Sequence, residues 1–402
     1  MQILQLKEYN NLIILAGTLI DNVQAVPHPA TALSIKEGRI TGIEPNYLQE
    51  QLPTETRPKV INLTELTLLP AFIDCHVHLA LDGLDFHAAL NRWTPDQAWL
   101  PQVKEALKTY LNHGIAVIRD GGDGANIGLQ TKNLFNQGDI TGPRILASGQ
   151  AIYKKGRYGS FLGPGISSIQ EACQMVTSLY HQGADWIKIL VSGIVSFQEY
   201  GKVGPVQFSQ QELNYIVDHA HSMGLPVMAH ASSDEAVAMA ARAGVDSIEH
   251  GYFITTSSLA ILAEKNIPWI PTIVPVANQV VQPFRANHPT TSLDIITKTY
   301  KLQLQKIAQG AALGVPLGIG TDAGASGVLH GFSYHRELEL FAQAGLSPAA
   351  IIKAATLVPA RILGLDHELG AVEPGKKPCL IGVRGNPLED PAVLKKVEFL
   401  LY

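Results

Sequence analysis

Between residues 68 and 364 short apolar runs alternate with helix-like segments, and this alternation constrains the fold more than any other feature of the chain. The runs are FIDCHVHL, AVIRDGG, RILASG, WIKILVSG, PVMAHA, SIEHG, WIPTIV and LGIGTDAG. Such runs are typical of strands buried on both faces of a parallel sheet. Because helix-like segments such as SQQELNYIVDHAHSMG separate them, we predict an α/β fold, specifically a (β/α)₈ TIM barrel over residues 68–364.

The two ends of the chain have a different pattern. Residues 11–21, 31–44 and 59–68 alternate apolar and polar positions with turn signals between them, and the tail from residue 378 resumes this alternation. Alternation of this kind indicates strands with one buried face. We therefore expect residues 1–67 and 365–402 to form one small β-sandwich domain into which the barrel is inserted.

Composition and charge narrow the class of protein. The chain has 402 residues with 46% hydrophobic and 16% charged residues, which is typical of a globular protein with a large core. A net charge of −5 without a Lys/Arg run argues against nucleic-acid binding, and no apolar stretch is long enough to span a membrane. Three separated cysteines and the absence of a signal-peptide pattern predict a cytoplasmic protein, either a monomer or a homo-oligomer.

Polar residues stand at the ends of several apolar runs, where a buried strand should be closing. In a (β/α)₈ barrel the carboxyl ends of the strands meet at one rim, so these residues would be close in space. Each alone has an ordinary explanation, such as a hydrogen-bonded histidine or an aspartate in a turn. Together they predict a shared metal site made of His76, His78, Lys188, His230, His250 and Asp322.

These motifs, AFIDCHVH, WIKI, MAHA, IEHG and GTDAG, together with the tail LGAVEPGKKPCL, resemble the amidohydrolase superfamily over essentially the whole chain. Within it the sequence is most similar to the imidazolonepropionase-like and Xaa-Pro-dipeptidase-like hydrolases. The resemblance implies a metal-dependent hydrolase that cleaves an amide, peptide or cyclic amide bond of a small substrate. Xaa-Pro dipeptidase and N-acyl amino acid hydrolase are the candidate activities.

The resemblance also implies a binuclear centre. In the binuclear members CO₂ carboxylates the lysine that matches Lys188, and the resulting carbamate bridges two metals. His76, His78 and Asp322 would hold the more buried metal, and His230 and His250 the outer one. A metal-activated hydroxide would attack the substrate, with Asp322 transferring the proton. Zn²⁺ suits this ligand set, although Mn, Co or Fe also fits.

Two other functions stay open. A mononuclear deaminase, or a cyclic amide hydrolase of the imidazolonepropionase type, would use one metal. The mononuclear deaminases place a glutamate three residues after the strand-5 histidine, and this chain has Ser233 there, which argues against a deaminase. A non-catalytic metal-binding scaffold is the second alternative, and the complete set of ligand residues argues against it.

Substrate contacts are expected from the loops that follow the strands. Residues 151–165 carry several cations, and we predict that Arg157 or Tyr158 binds a substrate carboxylate, unless the loop is only a solvated glycine-rich segment. Tyr252 should line the pocket, and His330 is a further candidate for substrate contact because it follows the eighth run. His219 and His221 repeat the HxH spacing on a predicted helix, where they do not share a face, so we do not expect them to be ligands.

Overall fold

The structure is a computed structural model that describes residues 1–6, 11–21, 26–47 and 59–402. These residues form three β-sheets and a set of α-helices. The strands are β1 (Gln2–Leu4), β2 (Asn11–Ile20), β3 (Pro27–Lys36), β4 (Arg39–Glu44), β5 (Lys59–Pro70), β6 (Phe72–Val77), β7 (Ile115–Asp120), β8 (Arg144–Ala147), β9 (Ile187–Leu190), β10 (Val227–Ala231), β11 (Ser247–His250), β12 (Trp269–Ile270), β13 (Leu380–Val383) and β14 (Val397–Leu401).

The α-helices follow the strands of the middle of the chain. They are α1 (Phe86–Asn91), α2 (Leu100–Asn112), α3 (Ile127–Gln137), α4 (Ile169–His181), α5 (Gln210–Ser222), α6 (Asp234–Ala243), α7 (Thr256–Glu264), α8 (Val274–Ala277), α9 (Thr290–Leu313), α10 (Phe332–Gln343), α11 (Pro348–Ala355) and α12 (Leu357–Ile362). Among the described residues no helix is both long and apolar enough to cross a bilayer.

Strands from both ends of the chain form one seven-stranded sheet. Its order is β1-β14-β13-β5-β2-β3-β4, so the C-terminal strands β13 and β14 pair beside the N-terminal strands. Strand β5 is the link, because it pairs parallel with β2 and antiparallel with β13. Alternate residues of β2, Leu12 and Ile14, are fully buried in a cluster that also includes Phe399 and Leu401 of β14. Burial of this shared face holds the two chain ends together.

The middle of the chain forms two parallel sheets, β6-β7-β8 and β9-β10-β11-β12, with helices between successive strands. The predicted α/β class is confirmed. Single bridges connect the two sheets at both edges. Ile152, after β8, pairs with Ile189 of β9, and residues after α9 pair with both β12 and β6 through Trp269–Leu317 and Val77–Ala323.

The eighth apolar run, residues 317–324, does not form the regular strand that the sequence predicts. It makes single hydrogen bonds to its neighbours, such as Cys75 N to Ile319 O at 2.9 Å and Gly318 N to Trp269 O at 3.1 Å, and its backbone turns to a φ of 58° at Asp322. The ladder is interrupted because Ile319 N donates instead to Ala354 O of α11. Gly320 lies so close to β12 that a Cβ there would be 2.4 Å from Ile270 Cγ2. This close approach requires glycine and brings the run against His76.

Candidate metal centre and substrate cavity

His76, His78 and Asp322 come together at the end of β6. The Oδ1 atom of Asp322 is 3.6 Å from His76 Nε2 and 3.4 Å from His78 Nε2. Asp322 has a φ of 58°, and its backbone N–H donates to the carbonyl of His76 at 2.6 Å. This left-handed conformation is uncommon for residues other than glycine and is a feature of many functional sites. The three side chains could hold one metal ion.

Protein acceptors determine which ring nitrogen of each histidine faces the site. His76 Nδ1 donates to Glu249 Oε2 at 2.7 Å, and His78 Nδ1 donates to the carbonyl oxygen of Gly122 at 2.8 Å. Since a carboxylate and a carbonyl can only accept, both Nδ1 atoms carry the proton. Each Nε2 therefore faces Asp322. In the neutral ring it carries the lone pair that metal ligation requires, and only a protonated ring can donate from it to Asp322.

Glu249 and Arg119 form a buried pair behind His76, and sequence reasoning did not identify either residue as functional. Arg119 Nη2 donates to Glu249 Oε1 at 2.8 Å, and Ser247 Oγ donates to the same oxygen at 2.6 Å. Burial alone would raise the pKa of Glu249, but Arg119 and His76 lower it to about 2. The available signal was a charged residue inside each of two apolar runs, AVIRDGG and SIEHG.

Lys188 is fully buried on β9 beside the same histidine. Its Nζ donates to His76 Nε2 at 3.1 Å, and burial lowers the pKa of the ammonium to about 8. Among the described residues no carboxylate forms an ion pair with Nζ within 4.0 Å. A buried ammonium without a close anionic partner is costly, so this position is unfavourable for an unmodified lysine.

His230 of β10 and His250 of β11 complete the cluster. Their ring centroids are 4.5 Å apart, and that of His250 is 5.0 Å from His76. His230 Nε2 donates to the carbonyl of Gly193 at 3.2 Å, which leaves its Nδ1 as the acceptor, and His250 Nδ1 pairs with Thr272 Oγ1 at 2.6 Å. Burial lowers the pKa of His230 to about 3 and that of His250 well below its usual value. Both rings are therefore neutral.

The donor set fits divalent metal ions. Histidine ligates a metal only as neutral imidazole, and burial holds the pKa of His76 at about 4, so this ring is neutral as well. Burial lowers the pKa of His78 as well, but the hydrogen bond to Asp322 and the charge of that carboxylate together raise it above the usual value. Hydrogen bonds orient each of the four rings from outside the cluster, which is the usual arrangement around metal ligands.

A cavity of about 320 Å³ opens from this cluster to the surface. His78, Lys188, His230, His250 and Asp322 form its inner end. Tyr158 and Tyr252 line the wall, as the sequence predicts for Tyr252. The ring of Tyr252 stacks on that of His250 with centroids 5.6 Å apart. The volume lies at the lower end of the range typical of small-molecule sites.

Two predicted substrate contacts are not supported by their positions. Arg157 is exposed and does not belong to the cavity wall. Its neighbour Lys154 forms an ion pair with Glu212 at 2.8 Å. His330 is buried outside the wall, where Nδ1 pairs with the Tyr110 hydroxyl and Nε2 with the Leu81 carbonyl, both at 2.7 Å. With both ring nitrogens engaged, His330 has a structural role and is not free to bind substrate.

His219 and His221 lie on α5, as the sequence predicts, and contact other partners. His219 Nε2 is 3.0 Å from Thr177 Oγ1, and His221 Nε2 is 2.8 Å from Asp246 Oδ2. Neither residue lines the cavity. The HxH spacing therefore places two imidazoles at one site only on the extended backbone of β6.

Comparison with known proteins agrees with this geometry. The amidohydrolase family model matches residues 67–400. A solved Xaa-Pro dipeptidase with methionine bound in its active site is 26% identical, with a TM-score of 0.85 over 97% of this chain and 98% of that one. Ochratoxinase of Aspergillus niger is 26% identical over 96% of this chain and 83% of its own length. A 5-methylthioadenosine/S-adenosylhomocysteine deaminase of Teredinibacter turnerae is 24% identical over 94% of this chain and 85% of its own.

Proposed function

This chain belongs to the amidohydrolase family and is a hydrolase of carbon–nitrogen bonds, and from that premise we propose that it cleaves an amide or peptide-like bond of a small substrate at a binuclear metal centre. The observation that carries the proposal is the position of three imidazoles, a buried lysine and one carboxylate at the inner end of a single cavity, with the fourth imidazole, that of His76, directly behind them beside Asp322. The similarity to the Xaa-Pro dipeptidase supports an amide bond as the target.

The ligand residues divide into two groups. His76, His78 and Asp322 would hold one metal and His230 and His250 the other, with a carboxylated Lys188 between them. Zn²⁺ suits imidazole and carboxylate ligands. Ions of this kind would polarise the scissile carbonyl and lower the pKa of water at the site. The carbamate would replace a poorly compensated buried cation by an anion, which suits a position among metal ligands.

Asp322 is the group we propose to move the proton. Burial alone would raise its pKa, but His76 and the hydrogen bond from His78 lower it to about 2, so the carboxylate is ionised. The carboxylate lines the cavity, where it can accept a proton from the attacking water and pass it to the amine that leaves. Its Oδ1 lies 3.6 Å from His76 Nε2 and 3.4 Å from His78 Nε2, and Glu249 orients the ring of His76.

We propose that the two middle sheets are parts of one (β/α)₈ barrel. The single bridges at both sheet edges support closure, with residues 317–324 as the irregular eighth strand. Residues 68–364 would form this domain, and residues 1–67 with 365–402 the smaller one. In the smaller domain, buried apolar residues of β2, β5 and β14 form one hydrophobic cluster. This shared cluster supports a sheet that folds over its own core, as in a sandwich.

The experiment is a hydrolysis assay of metal-loaded protein against N-acyl amino acids, Xaa-Pro dipeptides, lactams, imidazolone-type rings and neutral amides. We expect turnover of at least one class and its loss in Asp322→Asn. A variant that still binds metal but has no activity supports the proton-transfer role, while unchanged turnover contradicts it. Absence of hydrolysis across the panel would favour the non-catalytic scaffold.

The mononuclear deaminase is the second candidate, and the similarity to the Teredinibacter turnerae protein favours it. Ser233 stands at the position where those deaminases carry a glutamate, and in this structure it has a different role. Its hydroxyl accepts a hydrogen bond from Ala236 N and caps α6. One metal per chain together with release of ammonia would identify a deaminase, and about two metals with release of an amine would exclude it.

A further inference from the structure

The wall of the cavity carries no charge beyond its inner end. Among the described residues that line it, Lys188 and Asp322 are the only Lys, Arg, Asp or Glu, and both lie beside the candidate metal ligands. The remaining wall consists of aliphatic, aromatic and small residues. A substrate therefore meets charged side chains only around its scissile bond, and the hydroxyl groups of Tyr158, Tyr252 and Ser326 are uncharged polar groups of the wall.

Aromatic rings form a continuous path from the mouth of the cavity to the candidate ligands. Phe86, which is 42% exposed, meets Phe161 edge-to-face with centroids 5.2 Å apart. Phe161 contacts Tyr158 at 6.0 Å, and Tyr158 contacts His230 at 5.6 Å. These distances are within the range in which aromatic pairs attract each other, so a substrate ring could pack against the same path.

The mouth also exposes large aliphatic side chains. Leu84, in the loop after β6, is 71% exposed, and Ile194, in the loop after β9, is 50% exposed. Single exposed apolar residues are common on protein surfaces, but here they meet Phe86 around one opening. Grouped exposed apolar side chains of this kind mark binding sites.

Among the described residues, no lysine or arginine other than Lys188 lines the cavity, and Lys155, beside Lys154, is exposed outside its wall. Lys154 is paired with Glu212 at 2.8 Å, and Arg92 is paired with Asp82 at 2.6 Å. Arg157 is exposed outside the wall. A carboxylate that entered the outer cavity would lose its hydration without gaining a cation, which is unfavourable.

We propose that the substrate is a neutral amide that carries an aryl group and has no carboxylate on either side of the scissile bond. This inference rests on the proposed function and adds the substrate class to it. In the reaction water supplies its oxygen to the acyl carbon, the C–N bond breaks, and the nitrogen takes a proton. The products are a carboxylic acid and an amine, so no redox partner is needed.

The first test compares matched ligands that differ in charge. One pair is 4-acetamidobenzamide and 4-acetamidobenzoate, and the other is N-acetyl-phenylalanyl pyrrolidide and N-acetyl-Phe-Pro. Binding is measured by titration of metal-free protein and turnover on metal-loaded protein. We expect the neutral member to bind at least about tenfold more tightly and to have the higher kcat/KM. Equal or tighter binding of the carboxylates would overturn the inference.

The binding measurement separates this inference from the proposed function. If no compound of the panel is hydrolysed but the neutral ligands bind more tightly than the carboxylates, the proposed function is contradicted. The preference of the cavity for neutral ligands is then still established. Hydrolysis with a preference for carboxylate substrates would support the proposed function and contradict the inference about substrate charge.

The second test introduces or removes a cation. Because Ile194 is half-exposed, Ile194→Arg should fold normally, and we expect it to shift the kcat/KM ratio toward the carboxylate member by roughly tenfold or more. The control Leu313→Arg, an exposed apolar residue at the end of α9 and outside the wall, should leave the ratio unchanged. Arg157→Met should leave kcat/KM unchanged for both the neutral substrate and the carboxylate substrate. A loss confined to carboxylate substrates in Arg157→Met would overturn the inference.

Discussion

His76 and Glu249 come from different sheets, on β6 and β11, and His76 Nδ1 lies 2.7 Å from Glu249 Oε2 with neither side chain exposed. This contact sets the tautomer of His76 and directs its Nε2 at Asp322 and Lys188. Arg119, on the neighbouring strand β7, holds the other carboxylate oxygen. The orientation of one candidate ligand thus depends on two charged residues that do not line the cavity.

Glu249→Gln should weaken metal binding by roughly ten- to a hundredfold, because outer hydrogen bonds fix the orientation and basicity of a ligand histidine. The buried Arg119 would also lose its anionic partner, which typically costs about 3–5 kcal/mol of stability. Metal titration and chemical denaturation measure the two effects. The control Glu264→Gln, at an exposed position on α7, should change neither. Unaltered metal affinity in Glu249→Gln would contradict an orienting role.

Lys188→Met should lose metal and activity if a carbamate on Lys188 bridges the two ions. Protein prepared with ¹³C-bicarbonate should show a carbamate resonance that is absent in Lys188→Met and retained in Lys108→Met, a change at an exposed lysine of α2. Short carboxylic acids should partly restore metal binding in Lys188→Ala, where the shortened side chain leaves room for them at this buried position. Two metals per chain and full activity in Lys188→Met would show that no carbamate is needed.

Chelation should lower the thermal stability, since an ion that binds only the folded state stabilises it by about 2.7 kcal/mol at a concentration of 100 times its Kd. We expect the Tm of metal-free protein to rise when Zn²⁺ is added back. The rise should be much smaller in His78→Gln and complete in His221→Gln, because His221 lies on α5 and pairs with Asp246 away from the cavity. Equal Tm shifts in the two variants would contradict the assignment of the ligands.

Glu337 should make stability depend on pH. Burial raises its pKa to about 8 from the usual 4.5, despite hydrogen bonds from Ile273 N and Val274 N. The folded state therefore binds a proton that the unfolded state has already released between these values, so this group's contribution to stability falls as pH rises from about 4.5 to about 8. Relative to wild type, Glu337→Gln should gain stability when the pH is raised from 5 to 8, as measured by urea denaturation.

Glu339, two residues further along α10, provides the control. Burial alone would raise its pKa, but hydrogen bonds from Lys395 and Arg336 lower it below the usual value. It is ionised in both states from pH 5 to 8, so the stability difference between Glu339→Gln and wild type should be constant over this range. A constant difference for Glu337→Gln as well would show that Glu337 is ionised in the folded protein at pH 5.

Most of the element pattern could be predicted from the sequence. Seven of the eight apolar runs contain a strand of the middle sheets, because burial on both faces demands short continuous apolar segments. The flanking strands were visible from period-two alternation. The prediction of a regular strand for the eighth run was wrong. The hydrogen bond from Ile319 N to α11 interrupts that strand, and it joins residues that are distant in the sequence, so the local pattern gives no sign of it.

The sequence by itself determined the family, the class of reaction and which residues could be ligands, because metal chemistry requires particular side chains at strand ends. Tertiary structure decided what surrounds them. Glu249 and Arg119 look like isolated charges until packing brings them behind His76, and His330 looks available until Tyr110 and Leu81 engage both its nitrogens. Arg157, the cation predicted to bind a substrate carboxylate, is exposed and lies outside the cavity wall. The sequence records that the charge is present, but only the folded chain determines whether it faces the cavity or the solvent.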